Sequence, residues 1–290
     1  MNRVSVAMLG ASAALACGVL LSARQLPDEP PKQFGSSITG SFEGWFDNAD
    51  GTHSFLVGYL NRNRAREADV PIGPDNHIDP GGPDQGQPTH FLPGRQLGLF
   101  LVTVPKDFPP NSRLTWTILV NGESNTVPFT LKPEYNVSPF KDEAVGNTPP
   151  VAHFFTEQAP GIQGPSAQLS KAITRTASMS TPLELPMWAE DDAKYTNGTN
   201  APLTRPRPPV TLAWSKFRGP GTVTFDKPRP ALDTLQGGQV NQPYRGKATT
   251  TVKFGAPGDY VLLAMVEDYS GNGGEICCWT NALVKVTVTP

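Results

Sequence analysis

Cysteine is scarce in this chain. Three occur in 290 residues, two of them adjacent, which excludes a scaffold stapled by several disulfides. Charge is also sparse, at 17% of residues, and balanced, with 24 Lys and Arg against 26 Asp and Glu. The basic footprint of a nucleic-acid binder is therefore missing, and no nucleic-acid partner is expected. No apolar run of spanning length follows the N-terminal stretch. Four histidines are scattered, at His53, His77, His90 and His153. There is no G-x-S-x-G, no H-E-x-x-H and no Gly-rich loop between a strand and a helix. No linear motif marks an enzyme. Two carboxylates on facing strands would leave no such motif, so a secreted hydrolase remains an alternative.

What the chain has in quantity is proline (31) and glycine (28), without a sustained helical period. Frequent turns between short strands predict an all-β protein, and the length suits two sandwich-sized domains. Met1–Arg3 is a short basic start, Val4–Leu21 an apolar run, and Leu21-Ser22-Ala23 a small-residue cleavage site. These features predict a signal peptide over 1–23 and a secreted or periplasmic, cell-envelope location, with no membrane span after cleavage. A lipoprotein anchored through Cys17 is disfavoured, because Ala14 stands three residues before it and apolar residues continue beyond it. Residues 24–35, with Pro27, Pro30 and Pro31, read as an extended tether.

The last third reads as successive strands. Val210, Leu212 and Trp214 alternate with Thr211, Ala213 and Ser215, a period-two pattern with one apolar face. Val223 and Phe225, then Val252 and Phe254, repeat it. Tyr260–Val266 is apolar on both faces, as in a central strand. Ala282, Val284, Val286 and Val288 alternate with Leu283, Lys285 and Thr287, predicting a half-exposed closing strand. In this frame the segment resembles the PKD-like branch of immunoglobulin-like domains. The resemblance rests on Trp214, Gly219-Pro220-Gly221, Val223, Phe225, Pro257-Gly258, Tyr260, Leu262 and Asp268. Upstream, Asn147-Thr148-Pro149-Pro150-Val151-Ala152 resembles the opening of such a domain, and Ser180–Ala193 its second strand and acidic turn. The resemblance implies an immunoglobulin-like β-sandwich over 147–290 and says little about activity, because that scaffold serves many tasks.

Residues 36–146 predict a second immunoglobulin-like sandwich. Ser41–Arg62 is a hairpin turning at Asp50-Gly51, and Leu97–Pro105, Leu114–Asn121 and Thr126–Leu131 are further strands, with Asn121-Gly122 as a second hairpin turn. The segment from Gly58 to Gln96 resembles exported bacterial proteins without an assigned activity. Within it, Gly73–Gln96 has no obvious strand and is long for a connection. It carries Asp75, Asn76, His77, Asp79, Asp84, His90 and Arg95, a candidate ligand or partner loop. Asp75, Asp79 and Asp84 offer hard oxygens suited to Ca2+, while His77 and His90 suit a softer metal. The spacing fits neither an EF-hand nor a zinc pattern, and turn capping accounts for the same residues.

Two further groups stand out. Asp191, Asp192, Asp268, Asn272 and Glu275 lie in two acidic turns, which a sandwich could bring together as a Ca2+ site. The competing reading is turn structure. Cys277 and Cys278 are adjacent, and neighbours across a trans peptide sit closer than an ordinary disulfide allows. Two unpaired thiols, a vicinal disulfide, and an intermolecular or metal role are all open. Strand alternation carried back from Val284 places Cys278 inward and Cys277 outward. The expected function is a non-catalytic exported binding or adhesion module. It would recognise a protein or glycan through loops and exposed aromatics such as Trp45 or Trp279. A structural subunit of an envelope assembly is the alternative. No cofactor is expected other than Ca2+.

Overall fold

The computed structural model describes residues 32–143, 146–194, 209–237, 242–268 and 277–290. The predicted signal peptide lies outside the described residues. Those described are all-β apart from two single-turn 3-10 helices, and no helix among them is long and apolar enough to cross a membrane.

The first half builds two three-stranded antiparallel sheets. One contains β1 (Ile38–Asp47), β2 (His53–Asn61) and β6 (Gly94–Val104) in the order β1-β2-β6. The other contains β4 (Asn76–Asp79), β7 (Arg113–Val120) and β8 (Glu123–Thr130) in the order β4-β7-β8. Short strands β3 (Ala68–Asp69) and β5 (His90–Phe91) pair separately. Phe55, Val57, Tyr59, Phe100 and Val102 pack against Ile78, Trp116, Ile118 and Phe129, because period-two strands turn one face of each sheet inward. The predicted turns occur: Asn48 and Thr52 close the first hairpin. Asn121 and Gly122 both adopt positive φ, as a type I′ turn requires.

The second half has the strand order of an immunoglobulin sandwich. One sheet runs β10 (Ile162–Gln163), β9 (Val151–Phe154), β12 (Leu183–Asp191), β16 (Tyr244–Phe254), β14 (Val223–Phe225), with β15 (Asp233–Gln236) also on β16. The other runs β11 (Ile173–Ser178), β18 (Trp279–Thr289), β17 (Gly258–Asp268), β13 (Val210–Arg218). β11 is parallel to β18, the arrangement of a first strand that switches sheets. Trp214 is buried between the sheets, edge-on to Phe154 with ring centroids 5.9 Å apart.

Residues 31–290 form one compact unit. Phe217, Val261, Leu263 and Leu283, on the outer face of the sheet containing β17 and β18, join the hydrophobic core of the first half. The closing strand is half-exposed from Lys285 onward, where Lys285 and Thr287 face out as expected, but Leu283 is buried because that part of the face is covered. The Gly73–Gln96 segment also differs from expectation. It contains β4, paired to β7, together with β5 and the start of β6. Its strands were illegible because their partners are distant in sequence. Lys32 and Gln33, within the predicted tether, accept backbone hydrogen bonds from Arg64 and Ala65.

Candidate functional site

A glycine interrupts each of three adjacent strands, at Gly44 in β1, Gly58 in β2 and Gly98 in β6. In β1 the register slips between Phe42 and Gly44, leaving Glu43 as an unpaired bulge residue. A second slip, between Val57 and Tyr59, lets Leu97, Gly98 and Leu99 bulge from β6 opposite Gly58. Bulges re-aim side chains. The Glu43 carboxylate lies over Gly58, where any Cβ would strike it, and accepts the Gly98 amide on the far strand. Its other oxygen accepts from Arg95 at 2.9 Å. Burial pushes the Glu43 carboxyl up to about 7 despite those two donors.

Gly98 is also where the two halves meet. It adopts φ +50, and the Trp279 indole lies against it where a side chain would be. Asn281, fully buried, donates to the Gly98 carbonyl at 2.7 Å and accepts the Ser166 and Ala167 amides at 2.7 and 2.8 Å. Trp279 is therefore a buried contact rather than the exposed aromatic expected, because the outer face of its sheet is covered. Trp45 is half-buried, its indole N–H donating to the Lys132 carbonyl.

Beside this joint a cleft of about 1430 Å³ opens between the halves. One wall carries Phe42, Glu43, Glu67, Asp69, His90 and Arg95, with Gln96 and Leu97. The other carries Ala213, Ser215, Lys216, Met265, Glu267 and Trp279, and the turn after β13 and the strand it leads into, Pro220–Phe225, line it as well. Its charges neutralise one another. Asp69 contacts Lys216 across the cleft at 3.0 Å and His90 at 2.9 Å, and His90 reaches Glu67 at 3.2 Å with its other nitrogen. Burial opposes ionisation of Asp69, but hydrogen bonds from His90 and Lys216 outweigh it and hold the carboxyl below its usual range. Glu267 is raised by burial, against the attraction of Arg229.

Of the residues predicted in the Gly73–Gln96 loop, only His90 and Arg95 reach the cleft. Asn76 is buried, donating to the Val70 and Pro88 carbonyls and accepting from the Trp116 indole. His77 pairs with Asp79 at 3.1 Å. Asp84 forms a two-pronged bond with Arg218 at 2.8 and 2.9 Å, which keeps its carboxyl low. The Asp75 carbonyl accepts the Leu119 amide. These contacts fasten the loop to both halves of the chain.

The two acidic turns do approach one another. Asp191 is pushed up to about 7, first by burial and then by the Asp268 charge. Asp268 is buried and accepts from Asn147 at 2.7 Å. Asp192 accepts from Thr148 at 3.1 Å and pairs with Lys194 at 3.4 Å. Asn272 and Glu275 lie outside the described residues. Among the described residues no three His, Cys, Asp or Glu side chains converge to hold a metal. Cys277 and Cys278 are joined as a disulfide across a cis peptide, with Cα atoms 3.1 Å apart. Both are buried. The outward placement of Cys277 is thus corrected: β18 begins at Trp279, so strand alternation does not extend back to it.

The raised carboxyls give a pH prediction. Glu43 and Asp191 have unfolded values near 4.5 and 3.8 and folded values of about 7. Folding favours their protonated forms, so their contribution is fully present below the unfolded values and is lost as pH rises towards 7. Each costs on the order of 3 kcal/mol at neutral pH. Asp191→Asn removes the carboxylate repulsion from Asp268 and keeps an oxygen to accept the Ala193 amide. It is expected to raise Tm at pH 7.5 and to flatten the fall in Tm between pH 4 and pH 7. Melts across that range with an unchanged slope would refute this.

No family model matches the chain, and no curated protein matches it. Among solved structures, the crystal structure of Rst D1-D2 aligns over 88% of this chain and 100% of its own, at 7% identity and TM-score 0.26. The D00-D0 domain of intimin aligns over 87% of this chain and 100% of its own, at 14% identity and TM-score 0.25. Likeness at this level carries no argument, and the all-β assignment stands on the strands themselves.

Proposed function

We propose that this chain is an exported, non-catalytic binding or adhesion module of the cell envelope, with its ligand in the cleft between the halves. The observation that carries the reading is the cleft itself. Open space lined by polar and apolar groups adjoins a joint held by Glu43, Gly98, Trp279 and Asn281, so its walls are pre-positioned. The N-terminal basic start, apolar run and cleavage site support export. The motif residues around Trp214 and Tyr260 support a PKD-like second domain over 147–290, after a first domain over 36–146. The loop residues 75–84 serve as fastening in this reading.

The test uses Leu97, which stands at the cleft with 51% of its surface exposed. Leu97→Arg fills the mouth of the cleft without touching the core. Binding of the mature chain to isolated cell envelopes is expected to fall at least tenfold, with Tm unchanged. Undiminished binding would remove the cleft as the site. A second reading, hydrolysis, is favoured by Glu43 and Glu267 sharing one cleft with raised carboxyls. Against it, both Glu43 oxygens are held, by Gly98 and Arg95.

A further inference from the structure

The chemistry of the cleft narrows the ligand; this step rests on the cleft being the binding site. Its volume of about 1430 Å³ exceeds the roughly 300–1,000 Å³ of ordinary small-molecule pockets. A cleft of this size has room for a chain of several units. Most of the cleft's charges are committed within the protein, Arg95 to Glu43, Lys216 to Asp69, and His90 to Asp69 and Glu67, and the other two charged residues of the lining, Glu267 and Arg229, attract one another. A charged ligand would have to break one of these pairs and strand its partner. The fitting ligand is uncharged.

Carboxylates accept only, and ammonium and guanidinium groups donate only. Both kinds line the cleft, Glu43 beside Arg95 on one wall and Asp69 reaching Lys216 on the other. A ligand lying across them must offer donors and acceptors at close spacing. A hydroxyl does both at one atom, so a polyhydroxylated chain meets this lattice wherever it lies. An extended peptide binds instead by adding to a free strand edge. β13 is the edge of its sheet, but the Trp214 amide already donates to the Pro228 carbonyl at 2.8 Å. Pro228, lacking an N–H, blocks continued pairing there. Phe42, Leu97 and Met265 add apolar surface suited to the C–H faces of sugar rings. We propose that the cleft binds an uncharged oligosaccharide.

Titration calorimetry on the mature chain would test this. The probes are neutral hexasaccharides of β-1,4-linked glucose and of β-1,4-linked N-acetylglucosamine, an anionic uronic-acid hexasaccharide, and an uncharged decapeptide. The expected result is binding of a neutral hexasaccharide that is insensitive to salt. It should be lost in Leu97→Arg and weakened about tenfold in Gln96→Ala and Glu267→Gln, with melts confirming folding. Neutral-sugar binding that survives Leu97→Arg would overturn the proposal, as would binding of no sugar at all. Binding of only the peptide or the anionic sugar, abolished by Leu97→Arg, would overturn the oligosaccharide assignment while leaving the cleft as a binding site.

Discussion

Asn281→Ala is expected to destabilise the folded chain by about 4–6 kcal/mol. Its side chain is fully buried and serves the Gly98 carbonyl and the Ser166 and Ala167 amides at 2.7–2.8 Å. Alanine leaves those backbone groups without a partner in a dry place, and each orphan costs about 1–3 kcal/mol. The cavity adds to the loss. The groups belong to different parts of the chain, β6 of the first half and the segment before β11 in the second, so the variant should also loosen the joint. Chemical denaturation checks both effects. The parent should unfold in one transition, and the variant at a markedly lower midpoint. A loss under about 1 kcal/mol would mean that water or a neighbour replaces the amide, and Asn281 would not be the joint described.

Trp214→Ala should cost about 3–5 kcal/mol, the range for truncating a buried aromatic. Trp214 is 3% exposed, lies in the core between the two sheets of the second half, and meets Phe154 edge to face. Its indole N–H has no hydrogen-bond partner among the described residues. The loss is therefore one of packing, and Trp214→Phe should recover much of it. If the alanine variant loses under 1 kcal/mol in denaturant melts, the core arrangement around β13 is wrong.

The two residues differ in how visible they were. Trp214 sits in a period-two run with Val210 and Leu212, so its inward direction follows from its neighbours. Asn281 sits in a run just as regular, yet nothing nearby marks it. Its partners lie 115, 114 and 183 residues away. Glu43 was intermediate. The glycines at 44, 58 and 98 each interrupt a strand, which signals a bulge or a close approach, but only pairing puts the three side by side. Cys277 failed for a local reason: alternation was carried past the end of a strand.

Sequence alone determined the all-β class, most strand positions, the two hairpin turns and the inward faces of the strands in the second half, because backbone pleating and turn geometry depend on adjacent residues. It also set the balance of charge and the lack of any linear catalytic motif. Only the tertiary structure decided that the outer face of one sheet would be covered, that Glu43 would reach across Gly58, and that Asp191 would meet Asp268. It alone placed the cleft between Asp69 and Lys216. These outcomes depend on which surfaces meet after the strands form, and burial and charge proximity are properties of that meeting.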